Sequence, residues 1–347
     1  MTRPAPDPAR SLYDPDPEAA DDPWFLPPAT PLDPDLPPLP RAERGDLTGL
    51  AEWEAAQAAL AVELAQTAAR FGALDERLRH AGEGARQRLA LLEVAELSWH
   101  AGDRIGPDRL ALWVGLRLAG AQDDAQALAR AGWAVRRLTG GPGPLDGGAG
   151  GLAAFLGRQE AGADLPGRLD DWAAALGAGA TLHPIVRAAW AIGLWSLAEV
   201  SPAEAGGVEA HVTAARLAAT AGRGGAVFLP VLLAGPQALR RDGPVARRLA
   251  RWLAGAEQSC LSAMLQLDRV DAWAARATAA LAHLSGRTPP RLIAALAAWP
   301  MLSAPLAERL TGASRAAVQR NLDLMAAAGL IREVTGQGRF RLWAARL

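Results

Sequence analysis

The chain has a single cysteine, Cys260, and no lysine. One thiol excludes an internal disulfide framework and a zinc site built from several cysteines, which suits a reducing compartment. Every one of the 36 basic side chains is arginine, so the arginine total by itself says nothing about a need for guanidinium chemistry. Aromatic residues are scarce at 5%, and no run of about 18 uncharged apolar residues occurs, so no membrane-spanning helix is expected. No basic segment followed by an apolar stretch of leader length is found either, and secretion is not expected. These absences point to a cytoplasmic protein without a membrane partner.

Half of the residues are apolar, and most of those are alanine and leucine, the strongest apolar helix formers, so a mainly α fold is predicted. A length of 347 residues exceeds what one core usually holds and leaves room for more than one helical unit. Residues 1–46 contain half of the 26 prolines and, up to Pro40, eight acids against Arg3 and Arg10. Such a segment cannot bury enough apolar surface to offset its ordering, and it reads as a disordered or extended tail with one apolar island, Trp24-Phe25-Leu26.

Helical periodicity begins at Leu47. It predicts an N-terminal helical part over 47–138, with helices near 47–70, 85–101, 107–119 and 121–138, the third opened by Pro107 at a permissive first-turn position. Residues 139–151, rich in glycine and proline, read as a linker. A second helical part follows over 152–286, with helices near 152–157, 168–176, 184–200, 208–221, 225–240 and 244–284. The last of these is long enough to serve as a dimerisation strut. No fixed-period repeat suggests a solenoid. Most tryptophans fall inside these helices, where core packing is their expected role.

Few residues in the body suggest chemistry. The five histidines are far apart, and none forms an i, i+4 metal pair. His183 before Pro184 reads as a helix start. Cys260 lies in an apolar stretch and reads as a small buried hydrophobe. Gly222-Arg223-Gly224-Gly225 has the look of an anion cradle, but it lacks the strand and lysine of a P-loop and reads more simply as an interhelical turn.

The informative segment is 287–347. It holds nine arginines against Glu308, Asp323 and Glu333, a net +6, whereas the rest of the chain sums to −7 and the whole to −1. A first helix is predicted over Pro290 to Trp299, with Leu292, Ile293, Leu296 and Trp299 on one stripe and Pro300 as its stop. Ser303 caps a second helix that buries Leu306 and Leu310 and ends at Gly312 in a left-handed C-cap. Ser314 caps a third helix running to Ala328. Its apolar residues Val318, Leu322 and Met325 recur at i, i+4 and i+7, leaving Ala316, Gln319 and Arg320 on the opposite side with Arg315 at its margin. The runs Leu330–Thr335 and Arg339–Trp343 around Gly336-Gln337-Gly338 read as a hairpin, with Arg339 and Arg341 on one face and Phe340 and Leu342 on the other.

This order of elements predicts a multi-helix body followed by a C-terminal winged helix-turn-helix. The expected partner is double-stranded DNA, read by Ser314, Arg315, Gln319 and Arg320 in the major groove and by Gln337, Arg339 and Arg341 on the backbone or in a minor groove. A homodimer is expected because one such module offers a small interface. The expected role is transcription regulation, with the body dimerising or sensing an effector that the sequence does not identify. No cofactor, metal or catalytic residue is expected. The alternatives are an enzyme in the helical body, with DNA binding for autoregulation, and a module that uses the hairpin for protein contact.

The whole chain after the tail resembles a bacterial family in which a helical domain of unknown function precedes a C-terminal helix-turn-helix DNA-binding domain. Gly336-Gln-Gly-Arg-Phe-Arg-Leu-Trp343, Leu74-Asp-Glu-Arg-Leu78 and the segment Glu93 to Leu138 carry the likeness. A fainter resemblance is to Fic-type proteins, through His183-Pro-Ile-Val-Arg-Ala-Ala-Trp190 and Ser201-Pro-Ala-Glu-Ala-Gly-Gly-Val-Glu209. Against that family's active loop, Ser201 stands for the histidine base, Gly207 for the asparagine ligand and Glu209 for the phosphate-holding arginine. Ala101, in Ser98-Trp-His-Ala-Gly102, replaces the glutamate of an inhibitory helix. The resemblance therefore implies a degenerate Fic-like body rather than an active nucleotidyl transferase.

Overall fold

The structure, a computed structural model, describes residues 48–119, 124–158, 164–335 and 341–347. The tail over 1–46 and the hairpin tip with Gln337 and Arg339 lie outside these residues. The described part is mainly helical. In chain order it contains α1 (Leu50–Ala59), α2 (Ala61–His80), α3 (Glu83–His100), α4 (Pro107–Leu116), α5 (Ala125–Thr139), α6 (Gly148–Leu156) and α7 (Asp164–Ala178). It continues with α8 (Pro184–Leu197), α9 (Ala203–Ala218), α10 (Val245–Ala280), α11 (Thr288–Ala298), β1 (Leu302–Ser303), α12 (Ala304–Thr311), α13 (Arg315–Ala327), β2 (Ile331–Glu333) and β3 (Leu342–Ala345). No helix among the described residues is long and apolar enough to cross a membrane.

The spine is α10, 36 residues long and so about 54 Å from end to end. Leu249, Trp252, Leu253, Ala256, Cys260, Ala263, Leu267, Trp273 and Ala277 form its buried stripe. That stripe is covered by the chain's own α1, α2, α8 and α11. The helix read as a candidate dimerisation strut thus uses this apolar stripe for packing within the chain. Trp172, Trp190, Trp252 and Trp273 are among the largest fully buried side chains, and each contributes about 1.5–3 kcal/mol or more of burial free energy. Trp99 departs from the core expectation at 56% exposure.

Several predicted elements differ from those observed. The helix expected near 47–70 is two helices, broken at Leu60 (φ −108°) and running on to His80. The linker expected over 139–151 already contains the first turn of α6. Its glycines allow a close approach: a Cβ on Gly151 would lie 1.8 Å from the Asp146 carbonyl oxygen. The segment is also fastened from α5, whose Arg137 donates to the Phe155 and Ala154 carbonyls at 2.6 and 2.8 Å. Residues 225–240 are not an α-helix. Pro230 and Pro236 remove two backbone donors, and only Pro236–Leu239 makes a single 3-10 turn.

That irregular stretch is held by two buried carboxylates. Asp75 of α2 accepts from the Arg223 and Ala226 N–H groups, each at 2.7 Å. Glu93 of α3 accepts from Val231 N at 2.9 Å and from Leu232 N at 3.2 and 3.1 Å, and its Oε1 lies 3.2 Å from His211 Nε2. A segment without repeating backbone bonds must find other acceptors for its buried N–H groups. These two side chains supply them.

Helices α11 and α12 and strand β1 lie against α3, α4 and α10. Leu306 of α12 sits over Gly115 of α4, where a Cβ would come within 2.6 Å of Leu306 Cδ1. The buried Arg88 of α3 donates to the Leu296 carbonyl at 3.4 Å, and Trp273 donates its indole N–H to the Leu330 carbonyl at 2.8 Å. Burial lowers the Arg88 guanidinium to about 10.

Candidate nucleic-acid interface

The C-terminal elements follow from local capping. Ser303 adopts extended backbone, and its hydroxyl accepts from Leu306 N at 3.3 Å to start α12. Gly312, at φ +65°, ends that helix, with its N–H bonded to the Glu308 carbonyl at 2.8 Å. Arg291 of α11 donates to the Thr311 carbonyl at 2.7 Å, satisfying another end-of-helix acceptor. After Gly312 only Ala313 and Ser314 intervene before α13. The Ser314 hydroxyl accepts from Ala317 N at 3.4 Å, which makes it the N-cap.

The buried side of α13 is Val318, Leu322 and Met325, as the spacing predicts, together with Asn321, whose amide returns to the Ala317 carbonyl at 2.7 Å. Arg315, Ala316 and Arg320 are exposed on the other side, and Gln319 is half-buried. Among the described residues neither Arg315 nor Arg320 has an ion-pair partner. Gln319 is engaged: its Nε2 donates to Asp323 Oδ1 at 2.8 Å.

In α12 Leu306 is buried as expected, but Leu310 is 43% exposed. The inward positions are Ala307 and Thr311 instead. Small side chains there let the helix lie close to its neighbours, and this moves the buried stripe by one residue.

Three short strands complete the segment in the order β1-β3-β2, all antiparallel. Leu302 pairs with Trp343 and Ser303 with Leu342, so the residue that caps α12 also sits at the sheet edge. The sequence gives no signal for β1, which has two residues. The strand pair expected at Leu330–Thr335 and Arg339–Trp343 lies farther toward the C-terminus in its second member, with Ile331 opposite Ala345 and Glu333 opposite Trp343. Leu342 and Trp343 are both buried. Arg341 is exposed, with its Nε 3.6 Å from Glu333 Oε2. Arg332 is exposed on β2. Of the seven expected contact residues, the structure places Ser314 at the N-cap and Arg315, Gln319 and Arg320 along the first turns of one helix, and Arg341 immediately before β3.

The segment compared with the Fic loop is engaged internally. Arg158 donates to both carboxylate oxygens of Glu209, at 2.7 and 2.6 Å, and to the Val200 carbonyl at 3.1 Å. The Ser201 hydroxyl bonds to the same carboxylate, and Trp195 Nε1 donates to Ser201 Oγ at 2.9 Å. The backbone enters α9 at Ala203. His183 caps α8, its Nδ1 accepting from Ile185 N at 3.2 Å, and burial lowers its pKa. Cys260 is fully buried, and burial with the nearby Glu93 and Glu257 pushes its thiol well above the ordinary range.

Sequence reasoning missed the roles of Asp75 and Glu93. A signal was present: Asp75 interrupts the apolar stripe Phe71, Leu74, Leu78, and Glu93 lies within the run Leu91 to Ala95. A carboxylate on a buried helical stripe must have donors waiting for it. The loop at 222–225, with its likeness to an anion cradle, does hold an anion, and that anion is Asp75. No protein-family model matches the chain, and no curated protein matches it.

Proposed function

We propose that this chain is a DNA-binding transcriptional regulator in which residues 287–347 act as a winged helix-turn-helix and the helical body serves for dimerisation or sensing. The observation that carries the reading is the outward side of α13, where Arg315 and Arg320 are exposed and unpaired among the described residues, directly after a short turn from α12. Guanidinium groups at that end of a helix suit base edges or phosphates in a major groove. The net +6 of the segment supports attraction to a polyanion. The antiparallel pair after α13 supports a wing, whose exposed Arg341 suits contact with the phosphate backbone. A homodimer would double an interface of only about 600–1,000 Å².

The test is binding of a fluorescent duplex by the full chain at several salt concentrations. Non-specific affinity in the range of about 10⁻⁴ to 10⁻⁶ M, falling steeply with salt, is expected. Arg315→Glu and Arg320→Glu should each weaken it by about tenfold or more. Binding that ignores both charge reversals would overturn the reading and favour a protein partner. A nucleotide-transferring enzyme in the body has less support. In α9 the backbone N–H groups of residues 207–209 are committed to helix bonds, whereas an anion-binding loop would present them to a ligand.

A further inference from the structure

A cavity of about 100 Å³ lies among α1, α8, α9, α10 and the 3-10 turn at Pro236–Leu239, with Trp53, His100, His211, Arg241, Arg248 and Trp252 in its wall. It adjoins a wider cleft of about 1040 Å³ through His100, Leu239 and Arg241, which line both, and Arg158 and Arg168 are on the cleft's rim.

The charges in this wall are one-sided. Among the described residues Arg241 and Arg248 have no carboxylate within ion-pair distance. Arg241 donates to Ser196 Oγ at 2.9 Å, and Arg248 lies over the Trp53 ring, 5.6 Å from its centre. Of the acids around the cavity and its cleft, Glu93 is engaged by backbone N–H groups and His211, Glu209 by Arg158, and Asp242 by Arg240 and Arg251, while the exposed Glu199 lies 4.0 Å from Arg168. Burial and the neighbouring Arg248 charge lower the Arg241 pKa, while burial, His211 and Arg241 lower that of His100. Arg241 and Arg248 thus stand near each other without a counter-charge among the described residues.

Two buried polar atoms of the same wall lack hydrogen-bond partners among the described residues. They are Nδ1 of His211, a residue only 1% exposed, and Nε of Arg248. Such groups are costly unless something polar arrives to meet them. The indoles of Trp53 and Trp252, with Ile192, give the rest of the wall an apolar character, which is the usual make-up of a small-molecule site.

From this wall we infer that the cavity binds a small phosphate monoester, its phosphoryl group between Arg241 and Arg248 and its organic part along the adjoining cleft. A dianion satisfies both guanidinium groups, whereas a single carboxylate would leave one unneutralised. The inner room is smaller than an engineered cavity of about 150 Å³ that accepts benzene, so it suits the phosphoryl head rather than a whole ligand. This inference does not depend on DNA binding.

The test is isothermal titration of the full chain at constant ionic strength with inorganic phosphate, glycerol 3-phosphate and succinate. Saturable binding of both phosphates is expected, tighter for the ester. Arg241→Gln and Arg248→Gln should each weaken it by roughly tenfold or more, while Arg276→Gln leaves it unchanged. Arg241 is exposed, and circular dichroism of Arg241→Gln separates loss of the site from loss of the fold. No saturable phosphate binding, affinity in both glutamine variants equal to that of the wild-type chain, or succinate binding as tightly as the ester would each overturn the inference.

Discussion

Gln319 Nε2 donates to Asp323 Oδ1 at 2.8 Å, one turn farther along the same side of α13. The contact holds the amide on the helix surface and sets a carboxylate beside Arg320, on a face proposed to meet phosphates. Asp323 therefore works against affinity in this reading, and its removal frees Gln319. Asp323→Ala is expected to tighten duplex binding by about three- to tenfold at low salt, less at high salt as screening grows. Titrations at two salt concentrations check this, and an unchanged or weaker affinity in both would count against the proposed face.

Glu93 is completely buried, and its carboxylate serves the Val231 and Leu232 N–H groups and His211. Removing it leaves several buried donors without an acceptor, the situation that makes a broken buried network expensive. Glu93→Ala is expected to cost about 3–5 kcal/mol in unfolding free energy. Glu93→Gln, which keeps one acceptor oxygen, should cost less. Urea denaturation midpoints measure both, and a loss under about 1 kcal/mol for the alanine variant would mean that the loop is held by something else.

Two glycine substitutions should have opposite signs. A Cβ on Gly225 would lie 1.9 Å from the Asp75 carbonyl oxygen and 2.9 Å from Arg79 N, backbone atoms that cannot step aside without moving α2. A Cβ on Gly72, inside α2, meets nothing within 4 Å. Gly225→Ala is expected to destabilise by about 2 kcal/mol or more, and Gly72→Ala to stabilise by about 0.5–1 kcal/mol. A thermal shift of the same sign for both would contradict the close packing of the loop on α2.

The parts of this fold that were legible in the sequence are those fixed by local chemistry. Ser303, Gly312 and Ser314 act as caps within a few residues of themselves, so the spacing alone located α12, α13 and the turn between them. The stripe Val318, Leu322, Met325 was legible for the same reason. Leu310 was misread because periodicity gives a stripe only to within a residue, and the close approach of α12 to Gly115 on α4 decided which residue turned outward. Residues 225–240 read as a helix by composition, and only the distant carboxylates of Asp75 and Glu93 explain how the backbone there is satisfied. The same limit applies to the cavity wall. His100, His211, Arg241 and Arg248 come from three helices and a loop, and no spacing in the chain announces that they meet. Gln337 and Arg339, the tip of the expected wing, lie outside the described residues.

The stability of the protein should depend on pH through His183. Its Nδ1 accepts the Ile185 N–H at 3.2 Å as the cap of α8, so a proton at that nitrogen would face a donor and lose the cap. Burial adds to this and holds the folded pKa below the ordinary 6.5. The folded state then binds fewer protons than the unfolded chain in the window beneath 6.5. Stability is accordingly full above that value and falls as the pH drops through it toward the folded pKa. His100, also lowered, acts in the same direction. His183→Asn keeps a cap acceptor without a titrating ring, and it should flatten the slope of the urea midpoint between about pH 5.5 and 7.5, where few carboxylates titrate. His100 should keep the slope from vanishing. A midpoint that rises as the pH is lowered in the wild-type chain, or an unchanged slope in the asparagine variant, would show that the His183 ring is not the acceptor that starts α8.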